Sequence, residues 1–216
     1  MNSVIYDESV DTATIAALLR PFAELSSEQL TQTSTYIDLL LKWNAKVNLT
    51  AVRNREEIVT RHFGESFFVA ARLAPQPGDT AIDLGSGAGF PGLPLAMFAS
   101  AVQVTLIESN GKKAAFLNEV ISALQLKNAR VFSRRAETYP DKSDLVTMRA
   151  VEKFESVLPV AMGLVRDGGR LALMIGASQV SRAKVLAAQL SWQEPVAVPG
   201  AHSRVLAVGT KPVIVD

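Results

Sequence analysis

Residues 81 to 92 read AIDLGSGAGFPG, an apolar run followed by a glycine-rich turn and a proline. The apolar run predicts a buried strand, and Pro91 is favourable in the first turn of a following helix. Gly85, Gly87 and Gly89 allow the backbone to turn tightly and to approach a ligand with no Cβ atom in the way. We therefore expect a polar small molecule to lie on this turn and to contact Gly85 and Gly87.

A carboxylate after the next predicted strand indicates what that molecule contains. Glu108 lies 23 positions after Gly85, near the spacing of about 20 residues at which an acidic side chain accepts hydrogen bonds from ribose hydroxyls. This spacing favours a nucleoside ligand over a turn that merely packs a helix onto a strand. Both NAD and S-adenosylmethionine (SAM) qualify, and residues 87 to 92 formally match G-x-G-x-x-G.

Two details favour SAM over NAD. The glycines begin at the end of the strand, directly behind Asp83, so the formal motif starts too late for a pyrophosphate to meet the N-terminus of the helix. An acidic residue beside the loop also suits the cationic amino acid tail of SAM better than it suits a pyrophosphate. SAM is therefore the predicted cofactor.

The pattern of the whole chain predicts an α/β fold. After Pro75, Pro77 and Gly78, short apolar strands alternate with helical segments, which is typical of a parallel sheet covered by helices on both faces. Two further apolar segments near the C-terminus resemble a hairpin that would add an antiparallel edge. We predict strands at 80–84, 102–107, 129–132, 145–148 and 171–175, a hairpin of 196–198 and 204–209, and helices at 112–126 and 154–165.

Residues 1–74 are expected to form a helical extension. Ser26 and Gln29 have the spacing of a capping box, apolar residues recur at helical intervals up to Trp43, and a second helix is predicted at 55–73. Residues 75–216 then form the SAM-binding core as a single compact unit. The predicted fold is that of a class I SAM-dependent methyltransferase, Rossmann-like, with a mostly parallel seven-stranded sheet and an antiparallel edge.

The composition indicates the class of protein and its expected cellular location. The 216 residues are 48% hydrophobic and 20% charged, with no cysteine and a net charge of +1, which predicts a folded globular protein. The N-terminus lacks the features of a signal peptide, and no run approaches the roughly 18 apolar residues of a membrane span, so we expect a cytoplasmic monomer with no membrane contact. Residues 110–153 contain nine basic and five acidic residues, as a polyanion-binding face would require, although solvated surface charge explains the count equally well.

The segment 144–150, DLVTMRA, helps to exclude several classes of methyl acceptor. It lacks the Asn/Asp-Pro-Pro-aromatic motif of adenine N6 methyltransferases, and the absence of cysteine excludes the thiolate attack that pyrimidine C5 methylation needs. The sequence shows no carboxylate cluster to hold magnesium for catechol-type acceptors, and no metal site is expected. What remains is an acceptor that reacts unaided, and guanine N7 qualifies because its lone pair reacts without loss of a proton; a fixed cation such as Arg149 would then orient the substrate.

The chain resembles the RsmG (GidB) family, which methylates N7 of a guanine in the helix 18 loop of 16S ribosomal RNA (rRNA). The resemblance covers Leu39 to about Gly176 and rests on KWN at 42–44, NLT at 48–50, RH at 61–62, residues 83–94, KK at 112–113, FL at 116–117, RAE at 135–137 and RA at 149–150. It implies a SAM-dependent enzyme that acts on 16S rRNA, within the 30S subunit. By position, it also implies SAM contacts at Gly85, Phe90, Ala136, Glu137 and Arg149, with Glu108 in the ribose-binding place.

The chain departs from the family at two places. Family members have lysine before the glycine that ends the fifth strand, where this chain has Met174, Ile175 and then Gly176, and they often have aspartate where Glu65 stands. If that lysine contacts RNA, another residue must replace it here.

Basic residues in loops and at helix starts are the candidates for RNA contacts through phosphate groups. They are Arg135, which the resemblance also reaches, Lys112, Lys113, Arg134 and Lys153. Trp43 could stack on a base, but we interpret it as a core residue. His62 could reach the cofactor, but we interpret it as a structural hydrogen-bonding group. Two alternatives remain open: a methyltransferase of the same fold that acts on a small molecule, and a noncatalytic ribosome-binding module that keeps SAM as a folding ligand.

Overall fold

A computed structural model describes residues 11–149 and 154–213 and places eight strands in one sheet. The strands are β1 (Thr80–Leu84), β2 (Gln103–Ile107), β3 (Ala129–Phe132), β4 (Ser143–Arg149), β5 (Val165–Gly176), β6 (Ser191–Trp192), β7 (Val196–Ala197) and β8 (Arg204–Thr210). Their order is β3-β2-β1-β4-β5-β8-β6, and β7 also pairs with β8. Because β6 and β7 share one side of β8, the eight strands occupy seven positions.

The sheet confirms the predicted class. Strands β1 to β5 pair in parallel, and β8 pairs antiparallel with β5 and with the short strands β6 and β7. The bounds predicted for β1 and β3 are correct. Strands β4 and β5 are longer than predicted because polar residues at their ends, such as Arg170 opposite Leu145, also pair. The short strand β6 is missing from the sequence prediction.

The helices are α1 (Thr12–Leu19), α2 (Ser27–Asn44), α3 (Arg55–Ile58), α4 (Glu65–Leu73), α5 (Gly92–Phe98), α6 (Gly111–Ala123), α7 (Phe154–Leu164) and α8 (Val180–Leu186). Short 3-10 turns cover Ala136–Thr138 and Ala177–Gln179. The capping box predicted at the start of α2 is present, because Gln29 N donates to Ser26 Oγ and Ser26 N donates to Gln29 Oε1. None of the helices in the described parts of the chain is both long and apolar enough to cross a membrane.

The segment predicted as one helix at 55–73 is helical throughout, but its middle is a π-helix at Val59–Gly64. The amide of Glu65 bonds to the carbonyls of Thr60 and His62. The carbonyl of Arg61 accepts instead a side-chain hydrogen bond from Arg149, at 2.8 Å. Such π segments are often found at functional sites, and this one presents Arg61 and His62 to the end of β4.

Successive residues of the strands face two hydrophobic clusters, one on each side of the sheet. Ala81, Val104 and Leu106 pack with α1, α2, the π-helix, α4, α5 and α6, while Ile82 and Ile107 pack with α7 and α8. The N-terminal extension therefore forms part of one face of the core. All the parallel strands end at the edge where the loop after β1 begins, and this edge carries the candidate site.

Candidate functional site

The loop after β1 has the backbone that its glycines predict. Gly85, Gly87 and Gly89 have φ angles of 71°, 57° and 89°, a region that side chains disfavour. The free space beside each glycine differs. A Cβ atom on Gly85 would meet nothing within 4 Å, whereas one on Gly89 would lie 2.2 Å from the hydroxyl of Tyr36. Gly85 is thus open to a ligand, and Gly89 serves the packing of α2 against the loop.

Glu108 is tied to the same loop. Its Oε2 accepts from the amide of Gly87 at 2.9 Å, and its Oε1 accepts from the amide of Asn110 at 2.8 Å. A carboxylate has about four acceptor positions, so each oxygen keeps capacity for a hydroxyl donor. The two amides fix the direction of the carboxylate at the end of β2.

A cleft of about 620 Å³ opens between the ends of β1, β2 and β3 and helix α7. Four of the seven residues predicted to bind the cofactor line it, namely Gly85, Glu108, Ala136 and Glu137. Its other walls are Leu84, Ile107, Ser109, Arg134, Arg135, Ser156, Val157 and Val160. The apolar side chains on two sides and the carboxylates at the rim form a slot that suits a flat, polar-edged group.

The 3-10 turn after β3 carries the far wall of the cleft. Glu137 is exposed and accepts from Arg135 at 3.2 Å, and this ion pair lowers the pKa of the Glu137 carboxyl. The guanidinium carbon of Arg134 lies 4.9 Å from the centre of the Phe132 ring, in a cation–π contact. Both arginines are exposed at the cleft mouth.

Phe90 lies outside this cleft, in a cluster of aromatic rings. Its ring is stacked on Tyr36 with centroids 5.3 Å apart, meets the edge of Phe63 at 5.0 Å and stacks on His62 at 5.0 Å. Phe90 is 8% exposed. Because its ring is engaged with neighbouring side chains, we expect any contact of Phe90 with the cofactor to involve its backbone.

Tyr36 joins α2 to the loop. The hydroxyl of Tyr36 donates to the carbonyl of Ala88 at 2.5 Å in a fully buried setting, and burial raises the pKa of Tyr36 well above its usual value. The hydroxyl therefore stays protonated and remains a donor. Nothing in the sequence indicates this contact, since 52 residues separate the two partners.

Arg149 lies at the end of β4 and is held from three directions. Its Nη2 donates to the Arg61 carbonyl at 2.8 Å and to Glu65 Oε2 at 3.1 Å, and it contacts His62 Nδ1 at 3.3 Å. Burial lowers the pKa of the Arg149 guanidinium, which nevertheless stays charged, as arginine does in proteins. Its Nη1 is buried and has no hydrogen-bond partner among the described residues.

His62 is a neutral link between Arg149 and the loop after α2. Its Nδ1 lies 3.3 Å from Arg149 Nη2, and its Nε2 lies 2.7 Å from Thr50 Oγ1. Burial, with the neighbouring Arg149, lowers the pKa of His62 to about 3. The interpretation of His62 as a structural hydrogen-bonding group is consistent with this geometry.

Asp83, directly before the loop, is 1% exposed. Its Oδ1 accepts from Thr147 Oγ1 at 2.7 Å, and its Oδ2 has no partner among the described residues. Burial raises the pKa of Asp83 to about 6. A cationic group next to Oδ2 would compensate for this burial.

The predicted RNA contacts are spread over two loops. Lys112 and Lys113 begin α6, where Asn110 caps the helix, while Arg134 and Arg135 border the cleft. Lys153 lies outside the described residues. Trp43, interpreted as core, is half-buried against Phe116 and donates to Glu119 at 2.9 Å. The contact between Glu65 and Arg204 is missing from the sequence prediction, because it joins positions 139 residues apart.

Sequence comparison finds relatives over nearly the whole chain. The family model described as "GidB: rRNA small subunit methyltransferase G" matches residues 29–206. The ribosomal RNA small subunit methyltransferase G of Roseiflexus castenholzii is 40% identical over 203 residues, covering 87% of this chain and 85% of that protein. The protein of the same name from Xanthomonas campestris pv. campestris strain B100 is 42% identical over 174 residues, covering 76% and 78%.

Solved structures share the fold at much lower identity. Magnesium protoporphyrin IX methyltransferase from Synechocystis PCC 6803, solved with bound SAM, has a TM-score of 0.63 at 15% identity and covers 88% of this chain and 99% of its own. A SAM-dependent O-methyltransferase from Thermotoga maritima has a TM-score of 0.59 at 19% identity, covering 82% and 72%. These similarities identify the class I SAM-dependent methyltransferase fold.

Proposed function

The chain belongs to the GidB family, the family of rRNA small subunit methyltransferase G, and on this basis we propose that it transfers the methyl group of SAM to N7 of a guanine in the helix 18 loop of 16S rRNA. The observation that carries the proposal is the cleft at the ends of β1, β2 and β3, where Gly85, Glu108, Ala136 and Glu137 meet. We further propose that the protein is a cytoplasmic monomer that acts on RNA within the 30S subunit.

The residues at the loop fit both ends of SAM. Glu108 retains acceptor positions for ribose hydroxyls, and the turn with Ala136 and Glu137 offers a backbone amide and a carboxylate to the adenine. Asp83 Oδ2 and Arg149 Nη1, both buried and unpaired among the described residues, match the ammonium and carboxylate groups of the amino acid tail. When bound, SAM supplies an electrophilic methyl group on a positively charged sulfur.

The titratable side chains near this edge support an acceptor that needs no general base. His62 has both ring nitrogens engaged, Glu65 holds two arginines, and Asp83 Oδ1 accepts from Thr147. Guanine N7 has a free lone pair at neutral pH, so no proton has to leave before the methyl group arrives. Positioning and exclusion of water then supply most of the acceleration.

Arg149 fits the role of an orienting cation. Its Nη2 is fixed by Arg61, His62 and Glu65, so the group does not have to reorganise when substrate binds. Because positive charge moves from sulfur to the purine during transfer, a nearby cation contributes orientation rather than stabilisation of that charge.

Incubation with labelled SAM distinguishes the proposal from its two alternatives. The purified protein is given 30S subunits from a strain that lacks this activity, and in parallel a metabolite extract from the same strain. We expect label in 16S rRNA that is recovered as N7-methylguanine. Label in a small molecule alone would favour the small-molecule methyltransferase, and SAM binding without any transfer would favour the noncatalytic module.

A further inference from the structure

Glu65 differs from the other paired carboxylates in the described parts of the chain because it holds two arginines. Its Oε2 accepts from Arg149 Nη2 at 3.1 Å and its Oε1 from Arg204 Nη2 at 2.5 Å, while each of the other paired carboxylates has a single cationic partner. Glu65 is itself 2% exposed. The Glu65 carboxylate therefore faces two guanidinium groups, and the buried Asp83 is a second carboxylate that interacts electrostatically with Arg149.

Hydrogen bonds within the described residues leave one nitrogen of each of the two guanidinium groups without a partner. Arg149 Nη1 and Arg204 Nε are buried without a hydrogen-bond partner among the described residues. Arg61, which is close by, is already paired with Glu57, and His62 is neutral. A buried donor without a hydrogen-bond partner is costly, so an anion that accepts hydrogen bonds from these guanidinium groups stabilises them.

The two arginines differ in how far they reach the surface. The side chain of Arg149 is 10% exposed and that of Arg204 is 31% exposed. Arg149 is therefore the inner group, next to the proposed amino acid tail of SAM, and Arg204 is the group that a large ligand can contact.

Arg204 lies at the same edge of the sheet as Arg149. It begins β8 opposite Gly176 at the end of β5, and Arg149 is opposite Met174 on the neighbouring strand pair. Ile175 is buried in the hydrophobic cluster beneath α7 and α8 and supplies no charge at this edge. Arg204 provides a cation from β8, where it pairs with Gly176, the residue after Ile175.

We infer that Arg204 binds a phosphate group of the RNA backbone next to the target nucleotide, and that Glu65 is the positioning residue that holds Arg204 and Arg149 side by side. A phosphodiester is the anion that the proposed substrate presents at this edge, and arginine donates to phosphate through charge-assisted hydrogen bonds. This inference rests on the proposed function, since it requires RNA as the substrate.

The test compares Arg204→Gln and Arg204→Lys with the wild type in methylation of 30S subunits. We expect Arg204→Gln to raise the KM for 30S subunits about tenfold and to reduce the slope of log affinity against log salt by about one, the signature of a lost phosphate contact. Arg204→Lys keeps the charge but loses the planar guanidinium group. Its KM for 30S subunits should lie between those of the wild type and Arg204→Gln, and its salt slope should equal that of the wild type. The Kd for SAM should stay within about twofold of the wild type.

Arg166→Gln is the matched control, because Arg166 pairs with Asp144 at the opposite edge of the sheet and its side chain is 58% exposed. It removes the same charge and should leave both the KM for 30S subunits and the salt slope unchanged. Thermal unfolding of each variant separates a lost contact from a lost fold, and Arg204→Lys carries the test if Arg204→Gln does not fold.

An unchanged KM and salt slope in a folded Arg204→Gln protein would overturn the inference while leaving the proposed function intact. An equal rise in the Kd for SAM would also overturn it, by assigning Arg204 to the cofactor half. Failure of the wild type to methylate 30S subunits would instead contradict the proposed function.

Discussion

At the scale of single residues, the buried charge of Asp83 lowers the stability of the protein at neutral pH. Its carboxyl is buried, one oxygen is unpaired among the described residues, and its pKa is raised to about 6 by burial. The folded protein therefore binds the proton of the Asp83 carboxyl more tightly than the unfolded chain does, because the pKa of this carboxyl is near 3.8 in the unfolded chain. The contribution of Asp83 to stability falls as the pH rises from about 4 to about 6 and stays unfavourable at neutral pH.

Asp83→Asn should consequently stabilise the protein without SAM at pH 7, by about 2 to 3 kcal/mol in the free energy of unfolding, because the change removes the cost of a buried charge. The gain should shrink towards zero near pH 4, and SAM affinity should fall at pH 7. Urea unfolding across this pH range measures the first effect and calorimetric titration the second. Asp141→Asn, at an exposed position, is the control, and a gain that is independent of pH would contradict the account.

At the scale of elements, helix α2 and the glycine-rich loop after β1 form one unit. The Tyr36 hydroxyl holds the Ala88 carbonyl, its ring packs on Phe90, and Gly89 makes room for the hydroxyl. The N-terminal extension therefore packs directly on the glycine-rich loop after β1 and holds one of its carbonyls.

Tyr36→Phe should raise the Kd and KM for SAM about tenfold with little change in kcat at saturating SAM. The change leaves the buried Ala88 carbonyl without its donor, which costs about 1 to 3 kcal/mol, and binding of SAM has to restore the loop. Thr35→Ala, one residue away on the exposed face of α2, should change neither constant. A fall in kcat at saturating SAM with an unchanged KM would refute this role for Tyr36.

The same elements explain how far the sequence can be interpreted. Apolar runs and capping spacing predict β1, β3 and the start of α2 because these signals are local. The π-helix was missed because its apolar residues continue the helical pattern on both sides. Gly85 and Glu108 are predicted to contact one ligand from their spacing along the sequence, whereas the contacts of Tyr36 with Ala88 and of Glu65 with Arg204 depend on side-chain packing between distant segments.

At the scale of the whole molecule, the extension and the SAM-binding core share a hydrophobic cluster. Ile37 and Phe63 from the extension are buried in the same cluster as Leu93 and Leu106 of the core. The boundary at residue 74 therefore separates two stretches of sequence that pack into one hydrophobic cluster, and we expect both parts to unfold together.

The two tryptophans allow this expectation to be measured, since Trp43 lies in α2 and Trp192 in β6. In urea, the single-tryptophan variants Trp43→Phe and Trp192→Phe should each give one fluorescence transition that coincides with the loss of helical circular dichroism in the same variant. A fluorescence midpoint at clearly lower urea than the dichroism midpoint, in either variant, would indicate that the two parts unfold independently.

The most direct test of the account is to locate the methyl group in 16S rRNA. 30S subunits from a strain without this activity are incubated with SAM and protein, and the RNA is then treated with borohydride and aniline, which break the chain at N7-methylguanine. We expect one break, in the helix 18 loop, with the wild-type protein, and a strongly reduced break with Glu108→Gln, which loses the carboxylate that faces the loop. Breaks elsewhere, or a full break with Glu108→Gln, would contradict it.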